Sequence, residues 1–245
     1  MFSFFKKSTK PSKIISFESL KTDMHSHLIA GIDDGSPDLE TSISLIQQLN
    51  DLGFQKFITT PHIMPDFYRN TPEIINKGLK ELQKTLKKKS QHIQVEAAAE
   101  YLVDFEFESK LDGKPSLLTF GQHYLLIETS FIANPPNFDE IIFKLQLAGY
   151  QPVLAHPERF LFLTKTDYES FKNRSVQFQL NALSLVGYYG KAVKQRAEQL
   201  IDRNMIDFVG TDCHNKIQAD MYFRCFTNKY WHKLVESGNL KNHLL

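Results

Sequence analysis

Histidine and carboxylate side chains recur along this chain in patterns that could grip a divalent cation. Asp23-Met-His25-Ser-His27 alternates polar with other residues, so on an extended backbone Asp23, His25 and His27 point the same way and can hold one ion. Asp212-Cys213-His214 repeats the device near the other end. Cys213 then faces away, as a small core residue. Between the two lie His62, Glu100, Glu128 and His156. The set is imidazole plus carboxylate without thiolate, which suits Mn, Fe or Zn better than Cu(I) or an iron–sulfur cluster. A lone His-x-His is a weak signal, and Thr60-Pro-His62 weaker still. His92, His123, His232 and His243 have no carboxylate partner at useful spacing and are expected on the surface.

What gives the scattered residues weight is the elements that must position them. Strands are predicted at Lys21 to His25, Lys56 to Thr60, Ile93 to Ala98, Tyr124 to Glu128, Pro152 to Ala155, Val176 to Leu180 and Ile206 to Val209. Helical spacing separates several of them. One helix is expected to start at Ser36-Pro37, with Leu39, Ile43, Ile46, Leu49 and Leu52 on one face and Gly53 as its stop. A second opens at Thr71-Pro72 and ends in Lys87 to Lys89, a solvated helix end. Others are expected near Asp139 to Leu147 and Lys191 to Arg203. Strands alternating with helices pair in parallel, and about seven of them without a linker favour a closed (β/α) barrel. All but one of these strands ends within a few residues of a ligand-type side chain. In such a barrel these ends share one rim, the C-terminal face, so residues scattered in sequence converge in space. An open doubly wound sheet is the alternative, but no Gly-x-Gly-x-x-Gly or Walker-type loop accompanies it.

At 245 residues, with 42% apolar residues, the chain can bury a sizeable core. Lys and Arg number 29 against 28 Asp and Glu, a net charge of +1. That removes the positive field on which non-specific nucleic-acid binding depends. Two cysteines are too few for a disulfide framework, and no apolar run reaches the roughly 18 residues of a membrane span. Residues 1–20, rich in Lys and Ser, are expected as a flexible arm outside the fold, with residues 21–245 as one domain. Phe2, Phe4 and Phe5 with Lys6 and Lys7 could touch an anionic membrane weakly.

Taken together, Asp23-Met-His-Ser-His27, Gly31-Ile-Asp-Asp-Gly35, Thr59-Thr-Pro-His62, Ala99-Glu100, Leu126-Ile-Glu128, Ala155-His-Pro-Glu-Arg159 and Gly210-Thr-Asp-Cys-His214 resemble the PHP (polymerase and histidinol phosphatase) superfamily of metal hydrolases. The Gly-Ile-Asp-Asp-Gly and Ala-His-Pro-Glu-Arg segments are most similar to the bacterial manganese-dependent protein-tyrosine phosphatases of capsule and exopolysaccharide loci. The match runs in order from about Thr22 to His214. The resemblance implies an α/β fold, a distorted seven-stranded barrel of PHP type, with a site for two to three Mn ions. His25, His27, Glu100 and Asp212 would hold the first, Glu100, Glu128 and His156 the second, and Asp34, His62 and His214 the third. Arg159, with Asp34 and His62, would act at the substrate, its guanidinium holding the phosphate as a bidentate fork. An ion pair of Arg159 with Glu158 or a neighbouring loop is the structural alternative.

The resemblance also implies the chemistry. Clustered cations cancel the charge of a phosphate monoester, and a metal-bound hydroxide attacks phosphorus in line. The implied substrate is a phosphotyrosine protein, a tyrosine kinase of polysaccharide export, in the cytoplasm or at the membrane periphery through that kinase. A histidinol-phosphatase-like enzyme with a small substrate is the alternative. One departure stands out. Members of the tyrosine phosphatase group tend to carry a second arginine after the final Asp-x-His, where this chain has Asn215-Lys216-Ile. Lys216 could replace it as a point charge but not as a fork. No general acid for the leaving group is evident, although a phenolate with pKa near 10 needs little help.

Overall fold

In the computed structural model of the chain, residues 14–89, 93–111, 113 and 116–245 are described. Strands and helices alternate as their sequence periods require. The first half contains β1 (Thr22–Asp23), α1 (Leu39–Asp51), β2 (Lys56–Thr59), β3 (His62–Ile63), α2 (Pro72–Lys88), β4 (Gln94–Ala97), β5 (Glu100–Leu102) and α3 (Phe105–Leu111). The second contains β6 (Tyr124–Glu128), α4 (Phe138–Leu147), β7 (Gln151–Ala155), α5 (Lys165–Asn173), β8 (Gln177–Asn181), α6 (Lys191–Asp202), β9 (Phe208–Gly210), α7 (Lys216–Ala219) and α8 (Lys229–Glu236). Every pairing between these strands is parallel.

The expectation of seven unbroken strands needs correction. A break after each of the strands predicted at Lys56 to Thr60 and Ile93 to Ala98 is followed by a further short strand, β3 or β5, which yields two sheets, in orders β1-β2-β4 and β3-β5-β6-β7-β8-β9. Pro61 lies in the first break and has no N–H to give a ladder. Ala98 and Ala99 lie in the second, and nothing in the sequence explains that break. Pairing nevertheless carries across both, through Ala98 N–H to Thr59 O at 2.9 Å and Glu100 N–H to Pro61 O at 3.1 Å. The far edges also meet. Asp212 N–H donates to His25 O at 2.7 Å and His27 N–H to Cys213 O at 3.0 Å. An open doubly wound sheet keeps its edges apart, so the sheet here is curled.

Side-chain alternation sorts the core on either side of the curl. Met24, Ile58, Leu126, Val153, Ala155 and Phe208 form an inner cluster. Their neighbours Phe57, Leu125, Ile127, Leu154 and Val209 face the outer layer, where the helices pack. Helix α1 buries Ile43, Leu45, Ile46 and Leu49 there. Its cap is Asp38, whose side chain accepts from Thr41 N–H at 2.8 Å. Ser36, predicted as that cap, is buried and donates its N–H to His27 O. Thr71 caps α2 as predicted, and Lys87 and Lys88 sit in its last turn. Helices α3, α5, α7 and α8 were not anticipated, because each is short and follows no predicted cap.

Part of the expected arm packs into the fold. Residues 1–13, with Phe2, Phe4, Phe5, Lys6 and Lys7, lie outside the described residues. Residues 15–20 belong to the fold. Phe17 is fully buried, stacked on Phe54 at 4.6 Å and met edge-on by Phe226 and Trp231. Trp231 Nε1–H donates to Ile15 O at 2.7 Å. Gly53 makes room for this segment, since a Cβ there would lie 2.4 Å from Glu18 N.

Candidate metal centre

The strand ends deliver the ligand-type residues to one place because parallel register fixes their neighbours. His62 on β3 is the register partner of Glu100 on β5, and Leu102 that of Glu128 on β6. Two of the residues take backbone conformations that L side chains seldom adopt, His156 at φ 33° after β7 and Asp212 at φ 55° after β9. Such conformations collect at functional sites, where surrounding contacts hold them.

Glu100 is the hub. Its Oε2 lies 3.2 Å from His25 Nε2, 3.5 Å from His27 Nε2 and 3.2 Å from His62 Nδ1, and its Oε1 lies 3.0 Å from His156 Nε2. Asp212 Oδ1 lies 3.4 Å from the Nε2 atoms of both His25 and His27. Asp34 Oδ1 lies 3.6 Å from His62 Nε2 and 3.4 Å from His214 Nε2. All nine expected ligands therefore fall in overlapping groups: His25, His27 and Glu100; His25, His156 and Asp212; His62, Glu100 and Glu128; His27, Asp34, His62 and His214. Glu128 groups with His62 rather than with His156. Its Oε1 is 2.9 Å from His62 Nδ1, yet both atoms are buried and form no hydrogen bond. Two buried ligand-type atoms this close, with no hydrogen bond to satisfy either, fit a shared cation.

The outer partners prepare these ligands. His25 Nδ1 lies 2.8 Å from Gln179 Oε1, His27 Nδ1 2.8 Å from Asp33 Oδ2 and His214 Nδ1 2.9 Å from Asp212 O. Each contact takes the Nδ1 proton and leaves the Nε2 lone pair facing the site. The amide of Gln179 passes the chain on to Asn181, and Asn181 Nδ2 donates to Asp212 Oδ2 at 2.6 Å. Strand β8 neither carries an expected ligand nor leads directly into one: it supplies amides that orient ligands from its neighbours. Its Gln-Phe-Gln-Leu-Asn alternation, polar side chains toward the inner face, was the signal available for Gln179 and Asn181. For Asp33 the signal was its place beside Asp34. Gly35 lets that loop close on His27, as a Cβ there would lie 2.3 Å from His27 O.

Electrostatics follow from burial and proximity. Burial opposes charge on Glu100 and Asp212, but the surrounding imidazoles win and hold both carboxyls well below the usual range. Burial likewise opposes charge on Asp34, and His214 and His62 bring it down to about 2. Asp23 departs from expectation. It is fully buried and accepts from Thr211 N–H at 2.9 Å and Thr211 Oγ1–H at 2.6 Å, outside every ligand group. Burial raises its carboxyl to about 6. It ties β1 to the segment after β9 instead of gripping an ion.

Arg159 Nη1 donates to Asp212 Oδ2 at 3.2 Å. Glu158, the partner weighed for it, is buried elsewhere, accepting from Ser184 Oγ–H at 2.6 Å and Asn181 N–H at 3.0 Å. Arg159 lines a cavity of about 580 Å³ over the ligand cluster, walled by Phe67, Tyr68, Phe131, Tyr188 and Tyr189. Lys216 is exposed, and the wall on that side is made by Asn215 and Gln218. His123 and His243 are exposed, whereas His232 is half-buried with Nε2 2.6 Å from Phe226 O. His92 lies outside the described residues.

Cys213 is core, as read from its spacing, and so is Cys225. Burial pushes both thiols up to about 12. Native protein is therefore expected to resist iodoacetamide at about pH 8 and to gain two alkylated cysteines after unfolding, counted by mass. Rapid native labelling of Cys213 would show that the segment after β9 opens.

Residues 21–230 match the family model described as capsular polysaccharide synthesis, CpsB/CapC. The chain is 31% identical over 195 residues to the tyrosine-protein phosphatase YwqE of Bacillus subtilis, covering 79% of this chain and 77% of that one. It is 26% identical to a putative tyrosine-protein phosphatase, CapC, of Staphylococcus aureus, at 79% and 76% coverage. Among solved structures, one reported with YwqE from Bacillus subtilis and CpsB from Streptococcus pneumoniae as metal-dependent tyrosine phosphatases matches with a TM-score of 0.77 at 28% identity. It covers 88% of this chain and 91% of that chain.

Proposed function

Since the chain belongs to the CpsB/CapC capsular polysaccharide synthesis family, we propose that it is a metal-dependent phosphatase that hydrolyses phosphotyrosine in proteins. The observation that carries this reading is the convergence of five imidazoles and four carboxylates under one cavity with aromatic walls and an arginine at its side. Counting β2 with β3 and β4 with β5 as two broken staves, we read the curled sheet as a distorted seven-stranded barrel of PHP type.

We assign a first ion to His25, His27, Glu100 and Asp212, a second to Glu100, Glu128 and His156, for which the Glu128 carboxylate would have to turn from His62, and a third to Asp34, His62 and His214. Manganese is the proposed metal, and the imidazole and carboxylate donors also suit Fe or Zn. Bound divalent ions would supply Lewis acidity, cancelling phosphoryl charge and acidifying water. The chain's own residues do the rest. Gln179, Asp33 and the Asp212 carbonyl hold the imidazoles with Nε2 toward the site. Arg159, a quarter exposed, keeps donors free of Asp212 to meet phosphate oxygens. Asp34, half exposed, stands at the solvent side with His62 and His214.

An aromatic wall accepts a phenyl ring, and a rigid tyrosyl phosphate reaches the bottom of the cavity while its protein stays outside. The phenolate leaves with little protonation, which suits a site with no dedicated acid. Histidinol phosphate is cationic with an alkyl leaving group and asks for a proton donor. We infer a tyrosine kinase of polysaccharide export as the protein substrate, acting in the cytoplasm or at the membrane periphery through that kinase. Its support is the family's capsule association. No described helix is long and apolar enough to cross a membrane.

On one manganese-loaded preparation, kcat/KM for a phosphotyrosyl peptide is expected to exceed that for histidinol phosphate by at least about tenfold, roughly 1.4 kcal/mol of discrimination. The reverse ranking assigns the small-substrate function instead.

A further inference from the structure

Phe131 is a half-exposed aromatic residue that the ligand set does not use. It follows β6 three residues after Glu128, is 51% exposed, and lines the catalytic cavity. Its ring lies 4.7 Å from the Arg159 guanidinium carbon, and the ring of Tyr189 lies 4.6 Å from the same atom. Phe131 also runs nearly parallel to the His156 ring, at 6.1 Å and 21°, and packs on Phe160 at 5.5 Å. Tyr189 is anchored by its hydroxyl. Its hydroxyl lies 3.4 Å from Asn181 Nδ2 and 3.5 Å from Asp212 Oδ2. The hydroxyl donates to Asp212 and so leaves the ring face to Arg159.

A guanidinium binds phosphate well only when its plane is already set, because a free arginine loses rotamer freedom on binding. Ring faces attract the cation without occupying its in-plane N–H donors, whereas a second carboxylate would consume them. We propose that Phe131, with Tyr189 behind it, forms an aromatic bracket that pre-orients Arg159 for the substrate phosphate, which makes Phe131 a positioning residue. This rests on the phosphatase reading and on Arg159 as the phosphate-binding arginine. Phe131 acts through Arg159, so its effect must vanish when the guanidinium is absent.

The test is a double-mutant cycle on full-length, manganese-loaded protein. Inorganic phosphate is the probe, its dissociation constant measured by titration calorimetry, and the metal content of each variant is checked. Phe131→Leu is expected to weaken phosphate binding by about tenfold and to raise KM for a phosphotyrosyl peptide more than it lowers kcat, with metal content unchanged. Phe131→Tyr keeps the ring face and is expected to restore wild-type affinity. In an Arg159→Ala background the same Phe131→Leu change is expected to cost less than about twofold. Unchanged phosphate affinity in Phe131→Leu, or an equal loss with and without Arg159, overturns the bracket while leaving the phosphatase reading intact. Wild-type protein that neither binds phosphate nor hydrolyses the peptide overturns the phosphatase reading and the bracket with it.

Discussion

Glu100→Gln is expected to lower turnover by about a hundredfold or more while the protein still folds. The substitution changes the volume of the side chain very little, so packing inside the curl is kept. What changes is the chemistry of four contacts at once, to His25, His27, His62 and His156, all within 3.5 Å of the carboxylate. One Gln oxygen could not serve the two proposed ions as a charged carboxylate would, and the new NH2 would face imidazole nitrogens. Metal analysis of the purified variant should show less than the wild-type content, and steady-state kinetics should show the fall in kcat. Wild-type kcat with wild-type metal content would remove Glu100 from the centre of the site. A loss of far-UV dichroism would instead mark Glu100 as a folding requirement.

Removing metal is expected to have the larger effect, abolishing phosphatase activity by about three orders of magnitude or more, with added manganese restoring it. Protein freed of metal by chelation and still active on phosphate esters would refute the mechanism. Chelation also exposes a stability signature. Burial alone would depress the His25 imidazolium, but Glu100 and Asp212 outweigh it and push the group up to about 9 in the metal-free chain. His27, beside Asp33, is raised in the same sense. A folded value above the unfolded one of about 6.5 means that the stabilisation is fully present below about pH 6.5 and is lost as the pH rises through about 9. The metal-free protein should therefore melt at progressively lower temperature across that interval. Reloading should flatten the trend, since bound ions replace the protons. A melting temperature that rises across the interval in chelator would show His25 and His27 to be neutral at its start.

Much of the site was legible before any tertiary structure. The spacing of His25 and His27, and the placing of Glu100, Glu128, His156 and Asp212 just past apolar strand-like runs, follows from a physical constraint. A parallel strand buried on both faces can offer polar chemistry only at its end. The seven strand segments were legible for the same reason. Less legible were features set by single-residue geometry. The break at Pro61 separates one predicted strand from a short strand beyond it, and the cap of α1 moved from Ser36 to Asp38 because Ser36 is committed to His27 O. Residues 15–20 read as a solvated arm because one aromatic residue in a Lys- and Ser-rich stretch has no periodicity. Phe17 nevertheless inserts among Phe54, Phe226 and Trp231, contacts made across the whole length of the chain.

By itself the sequence determined the alternation of elements, the donor chemistry of the site and the rim at which it gathers, because these depend on period, residue type and strand polarity. Tertiary structure alone decided which donors share a point. Asp23 obeys the same i, i+2 spacing as His25 and His27, yet Thr211 claims it from across the sheet. Glu128 turned to His62 rather than to His156. Arg159 found Asp212, Phe131 and Tyr189 rather than the adjacent Glu158. Spacing along a strand sets the direction in which a side chain leaves the backbone. Its partner is set by register, sheet curl and the order in which distant segments close, and these are properties of the folded chain.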